Sequence, residues 1–375
     1  MTGPVVTPPS PDTAGHGAPG VWRPEHLSAR WLTEVLRGAG VLGTGRVVDF
    51  GAEPLGTGQM ADSARVTLTY ASAPSDAPAT VVGKFTAADH TSRSTALALR
   101  TSEVEVRFYQ QVAATVGTRT PHCYFADVDS STAAFVLVLE DFAEARVGDQ
   151  LAGCDPDEAA LAMAEMAALH APRWDDPALA GLEWLTRDER DPVAGEELLP
   201  VLFAGFVDRY GNALPDSVVA VGEHLMARIG SYLRLRPGPR TVQHADFRLD
   251  NLLFGADGGT RVGVVDWQTV RLGPGAADVS YFLGAGLSPE ARRAHEDALL
   301  REYHGRLCSA GVAGYSFDQL MTDYRRYAYA GYIMAMGASM LVERTARGDD
   351  MFLAMARRHA IQVEDLGSEM LLDAD

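Results

Sequence analysis

Over residues 47–142 the apolar positions come in short blocks with the length and spacing of strands. Residues 65–70 alternate polar with apolar, VVGKF (81–85) is β-branched with one lysine, and AFVLVLEDF (134–142) is apolar until it ends in acid. Between the last two, LRTSEVEVRFYQQVAATVG (99–117) carries helical periodicity. This pattern predicts a small, mainly antiparallel sheet with one helix.

From about Asp149 the pattern turns helical. Asp155, Pro156 and Glu158 supply an N-cap, a first-turn proline and a capping-box acid, predicting a helix that runs to about His170. Ser288-Pro289 and Ser316 with Gln319 predict two more, the second of them long. The apolar run 327–342 is interrupted by tyrosines and glycines and falls short of the roughly 18–20 residues a membrane span needs, so it reads as a buried helix. Residues 241–266 are the exception: LLF (252–254) and VGVVDW (262–267) flank GADGG (255–259), a hairpin-like turn within a helical region. The expectation is an α+β chain with a sheet-rich part over 21–143 and a larger helical part over 144–375. A disordered Pro/Gly/Thr tail over 1–20 precedes them, with no basic or apolar region of a signal peptide.

Composition narrows the classes. The 375 residues are 47% hydrophobic and 22% charged, as in soluble globular proteins, and the formal net charge of −18 argues against nucleic acid or an anionic membrane as partner. Three widely spaced cysteines, Cys123, Cys154 and Cys308, form neither a disulfide framework nor a zinc motif, which points to a reducing cytoplasm.

The chemistry concentrates in VQHADFRLDNLLF (242–254), where charged side chains interrupt an apolar segment. His244-x-Asp246-x4-Asn251, followed by Asp266 at the end of an apolar strand, suits phosphoryl transfer from ATP. Asp246 would orient or accept the acceptor hydroxyl proton, and Asn251 and Asp266 would supply hard oxygen ligands to Mg²⁺. That reading demands a glycine loop, a strand lysine and a helix glutamate. Gly56, Gly58 and Ser63 lie in PLGTGQMADSARV (54–66), and Lys84 sits in VVGKF. Glu105 shares a helix face with Phe108, Tyr109 and Val112, whereas Glu103 sits with Arg107 and Gln110, so Glu105 points inward. The backbone from Glu140 to Phe142 would offer hydrogen bonds to adenine. His244 reads as a structural histidine, and Arg248 and Asp250 as local hydrogen-bond partners or substrate contacts.

GTGQMADSARV, VVGKF, EVRFY, VLVLEDF, LHAPRWDD (169–176), QHADFRLDNLLF and VVDWQTVRLGPGAADVSYFL together resemble the aminoglycoside phosphotransferase-like kinases, in their ecdysteroid kinase-like or choline kinase-like branch. The resemblance implies a bilobal protein-kinase-like fold, with a small antiparallel-sheet lobe carrying one key helix and a larger, mainly helical lobe. It matches Asp246 to the catalytic aspartate, Asn251 and Asp266 to the Mg²⁺ ligands, Lys84 to the phosphate lysine and Glu105 to its partner. Asp278 matches an aspartate that braces the catalytic loop. Ala245 stands where many relatives have glycine, a change expected to matter little. At the catalytic loop and the metal aspartate the chain reads His244-Ala245-Asp246 and Asp266-Trp267-Gln268 rather than HRD and DFG, and it has no APE element, which counts against a protein substrate.

The expected acceptor is the hydroxyl of a small molecule, a steroid-like or other apolar alcohol. An aminoglycoside, amino sugar or choline is the alternative, and a nucleotide-binding pseudokinase ranks below both. YAGYIMAMGASML (329–341) would serve as an apolar wall or simply as core.

Overall fold

The computed structural model describes residues 23–56, 61–186, 192–234, 238–259 and 261–373, so the expected tail over 1–20 and Gly58 lie outside the described residues. The chain divides into two compact units, Met1–Gln111 with Pro121–Ala143, and Val112–Thr120 with Glu144–Asp375.

The first unit is an antiparallel sheet of β1 (Arg46–Pro54), β2 (Ala61–Ser72), β3 (Thr80–Thr86), β4 (Cys123–Asp129) and β5 (Ala134–Glu140), in the order β1-β2-β3-β5-β4. A helix α1 (Ala29–Gly38), capped by the Ser28 hydroxyl, precedes it. Strand periodicity sends alternate residues of β3 to opposite faces. Val81 and Phe85 are buried in a cluster with Leu32, Val35 and Leu36 of α1, each burial worth about 1.5–3 kcal/mol before entropy. Lys84 must then emerge on the other face.

Two helices, not the single one expected, connect β3 to β4: α2 (His90–Leu99) and α3 (Thr101–Gln111). Arg100 separates them in the left-handed conformation, φ 55°, capping α2 through its N–H. The polar stretch HTSRST hid α2, whose end is set by backbone geometry that no glycine announces.

The second unit opens with β6 (Arg146–Val147) and α4 (Pro156–His170), which begins with the Asp155/Glu158 capping box expected of it. Then come α5 (Pro192–Tyr210), α6 (Asp216–Met226), α7 (Ile229–Arg234), β7 (Arg240–Gln243) and β8 (Leu252–Gly255). The turn 255–259 is a single helical turn, α8 (Ala256–Gly259), rather than a tight hairpin loop; β9 (Arg261–Val264) follows and pairs antiparallel with β8. Next are β10 (Arg271–Pro274), α9 (Gly275–Gly286), α10 (Pro289–Ser309), α11 (Phe317–Arg326), α12 (Tyr329–Leu341), α13 (Ala346–Leu366) and α14 (Glu369–Asp373). The long helix expected after Ser316 is in fact two, because Tyr327 leaves helical geometry at φ −85°, ψ 9°. Phe206, Tyr329, Tyr332, Met336, Met355 and their neighbours form an apolar cluster in this unit, and no helix among the described residues is long and apolar enough to cross a membrane.

Candidate active site

In the first unit, Lys84 reaches Glu105 of α3, with Nζ 2.7 Å from both carboxylate oxygens. Both side chains are largely withdrawn from water, Glu105 almost completely. Glu103 instead binds Arg100, whose hydrogen bond holds its carboxyl below the usual range. Helical spacing therefore separated the two acids correctly by burial. Ser63 pairs with Lys84 across the ladder, and its carbonyl accepts from Leu55 N at 2.8 Å, closing the strands just before Gly56 turns at φ 69°. The Glu140 N–H donates to His122 O at 2.8 Å and its carboxylate accepts from His122 N. That backbone donor is already engaged; Phe142 follows outside any strand.

In the second unit a rigid loop joins β7 to β8. Asp278, fully buried in the first turn of α9, accepts from His244 N at 2.7 Å and Ala245 N at 2.9 Å, while His170 Nε2 lies 3.3 Å from the same carboxylate. Burial alone would raise the Asp278 pKa, but hydrogen bonding and charge from His170, charge from His244 and the Ala245 N–H bring it below the ordinary value. His244 is buried and doubly engaged: Nε2 donates to Val265 O at 3.1 Å and Nδ1 accepts from Asp246 N at 3.3 Å. Ala245 between them is left-handed, φ 66°. A glycine there would be unstrained, so the alanine matters more than its lack of chemistry suggested.

Asp246 projects from this loop, and both carboxylate oxygens are held. Oδ2 accepts from Asn251 Nδ2 at 3.0 Å and Arg248 Nε at 3.2 Å; Oδ1 accepts from the Tyr281 hydroxyl at 2.7 Å. Arg248 also donates to Asp250 at 2.7 Å, and Arg347 of α13 reaches both oxygens of Asp250 at 3.1 Å. Burial would lower the Arg248 pKa, yet Asp246 and Asp250 more than offset it and hold the guanidinium charged.

Strand register brings Asn251 and Asp266 to one end of the β8–β9 ladder. Leu252 lies opposite Val264, and Val265 N donates to Asn251 O at 3.1 Å, so the residues flanking the β8–β9 ladder come to the same end. The Asn251 amide nitrogen is spent on the Asp246 carbonyl and carboxylate, which turns its Oδ1 the other way. Asp266 is left-handed at φ 68°, with Gln268 Nε2 3.2 Å from Oδ2.

Sequence reasoning missed Tyr281, Gln150 and Arg347. Gln150 fastens the loop by accepting from Leu249 N, while its own N–H donates to Asp250. Tyr281 could have been found, since it lies three residues after Asp278 on one helix face. The other two come from distant segments.

A small antiparallel sheet with a buried lysine–glutamate pair, and a helical unit with a braced Asp246 loop, define a protein-kinase-like α+β fold. The structure is similar to a candidate aminoglycoside phosphotransferase of Ralstonia eutropha, at 16% identity and TM-score 0.50 over 91% of this chain and 98% of that one. It is also similar to the choline kinase of Cryptosporidium parvum, at 10% identity and TM-score 0.54 over 87% and 91%. A stretch of 138 residues is 28% identical to an uncharacterized kinase-like protein of Caenorhabditis elegans, 36% of this chain and 35% of that protein, so the match spans about a third of the curated relative. Residues 91–316 match the phosphotransferase enzyme family, and the chain belongs to that family.

Proposed function

We propose that the protein is an ATP- and Mg²⁺-dependent kinase that transfers the γ-phosphoryl group to the hydroxyl of a small, neutral, apolar alcohol. The observation that carries this reading is the Asn251 amide: its nitrogen fixes Asp246 while its oxygen is directed away, so one side chain serves both a proton acceptor and a cation site. Asn251 Oδ1 and the Asp266 carboxylate are the hard oxygens Mg²⁺ takes beside phosphate and water, so the residues fit the ion. Bound there, Mg²⁺ would neutralise phosphate charge. Asp246 orients the acceptor hydroxyl and takes its proton, and Lys84, held by Glu105, pairs with the nucleotide phosphates.

The acceptor class rests on charge. Asp250 is neutralised by Arg248 and Arg347, which leaves it committed rather than open to an ammonium group. Met351, 3.2 Å from Arg248 through its sulfur, brings the Met- and Tyr-rich cluster up to the loop. An aminoglycoside, amino sugar or choline is the second reading, favoured by the net charge of −18.

The test is phosphoryl transfer from Mg-ATP to panels of apolar alcohols, aminoglycosides and choline. Selective turnover of a cationic acceptor would overturn the acceptor class. Nucleotide binding with no turnover of any panel would favour a pseudokinase.

A further inference from the structure

We propose that Tyr281 is a positioning residue for Asp246 that assigns Oδ1 as the oxygen taking the proton of the incoming hydroxyl, an inference that rests on the kinase reading above. A carboxylate oxygen accepts about two hydrogen bonds. Oδ2 of Asp246 has both, from Asn251 and Arg248, whereas Oδ1 has one, from Tyr281, among the described residues. The remaining acceptor site is therefore on Oδ1, beside the phenol.

Tyr281 is built for that place. It is 3% exposed, sits on the helix face that presents Asp278, and its ring stacks on His359 at 5.7 Å between centroids with 2° between planes. One helix thus braces the loop backbone through Asp278 and the Asp246 side chain through Tyr281. Burial first, and then the Asp246 charge, push the phenol well above its ordinary pKa, so it keeps its proton and acts only as a donor. In the step itself, the acceptor O–H bond breaks as its proton moves to Oδ1 of Asp246. The acceptor oxygen bonds to the γ-phosphorus, and the bond from that phosphorus to the departing nucleoside diphosphate breaks. The Tyr281 proton does not move.

Tyr281→Phe keeps the ring against His359 and removes only the hydroxyl. The expected result is a kcat about 10- to 100-fold lower, with KM for nucleotide and acceptor near the wild-type values, as for a misplaced reacting group. In an Asp246→Asn background the same change should add nothing, because residues acting as a unit are non-additive. Independent, additive losses would overturn the proposal. A second readout needs no turnover: the ¹⁹F resonance of 3-fluorotyrosine placed at position 281 should shift on Asp246→Asn. An unmoved resonance overturns the proposal whatever the kinetics. A shifted resonance in a protein that phosphorylates no alcohol overturns the kinase reading, and with it the proton-accepting role, while the Tyr281–Asp246 coupling stands.

Discussion

Lys84 and Glu105, on β3 and α3, meet through both carboxylate oxygens at 2.7 Å in a setting that leaves Glu105 2% exposed. Removing the carboxylate charge from a buried pair is costly, so Glu105→Gln should cost about 3 kcal/mol in urea unfolding. It should also raise KM for ATP. A loss under about 1 kcal/mol would mean that water solvates the lysine as it does an exposed pair.

Asp246→Asn keeps the size of the side chain and removes its basicity. Mg-nucleotide binding, followed by calorimetry, should be little changed while transfer falls about 1,000-fold, within the range of general-base losses. Unchanged turnover would remove the base assignment.

Ala245 carries a left-handed backbone with its N–H tied to Asp278. Ala245→Gly should stabilise the protein by about 0.5–1 kcal/mol, and a β-branched Ala245→Val should destabilise it. Thermal melts of the two variants should move in opposite directions.

His359 is fully buried, with Nδ1 3.1 Å from Gln362 Oε1, and burial lowers its pKa to about 4 against the Gln362 hydrogen bond. A depressed folded pKa means that stability is complete above the ordinary histidine value. As pH falls from about 6.5 to about 4, the unfolded chain takes up a proton that the native state refuses, a loss of up to about 1.4 kcal/mol per pH unit. His359→Gln should flatten that part of the stability curve. Equal slopes for both proteins between pH 6.5 and 4 would assign the acid loss to the carboxylates.

The fold class and the orientation of Glu105 were legible because both rest on local periodicity. The helix starts at Asp155, Ser288 and Ser316 were legible through their caps. What escaped was set by backbone torsion or by distance along the chain. Arg100 ends a helix and Ala245 turns a loop at positive φ without glycine, and Tyr327 breaks a helix without proline. Arg347 reaches Asp250 from 97 positions away, a pairing that no local pattern encodes. The contact between Asp246 and Asn251 was readable from spacing, whereas the other donors around them depend on how α9 and α13 return to the loop.

That return has a consequence for when the Asp246 loop is complete. Arg347 binds Asp250, Met351 touches Arg248, Arg358 donates to the carbonyls of Gln150 and Ala285, and Gln362 donates to Ser280 O. A ribosome that has finished the Asp246 loop has still to make about a hundred residues before these stitches exist. Until α13 emerges, the nascent chain carries the Asp246 carboxylate on an unfinished mount.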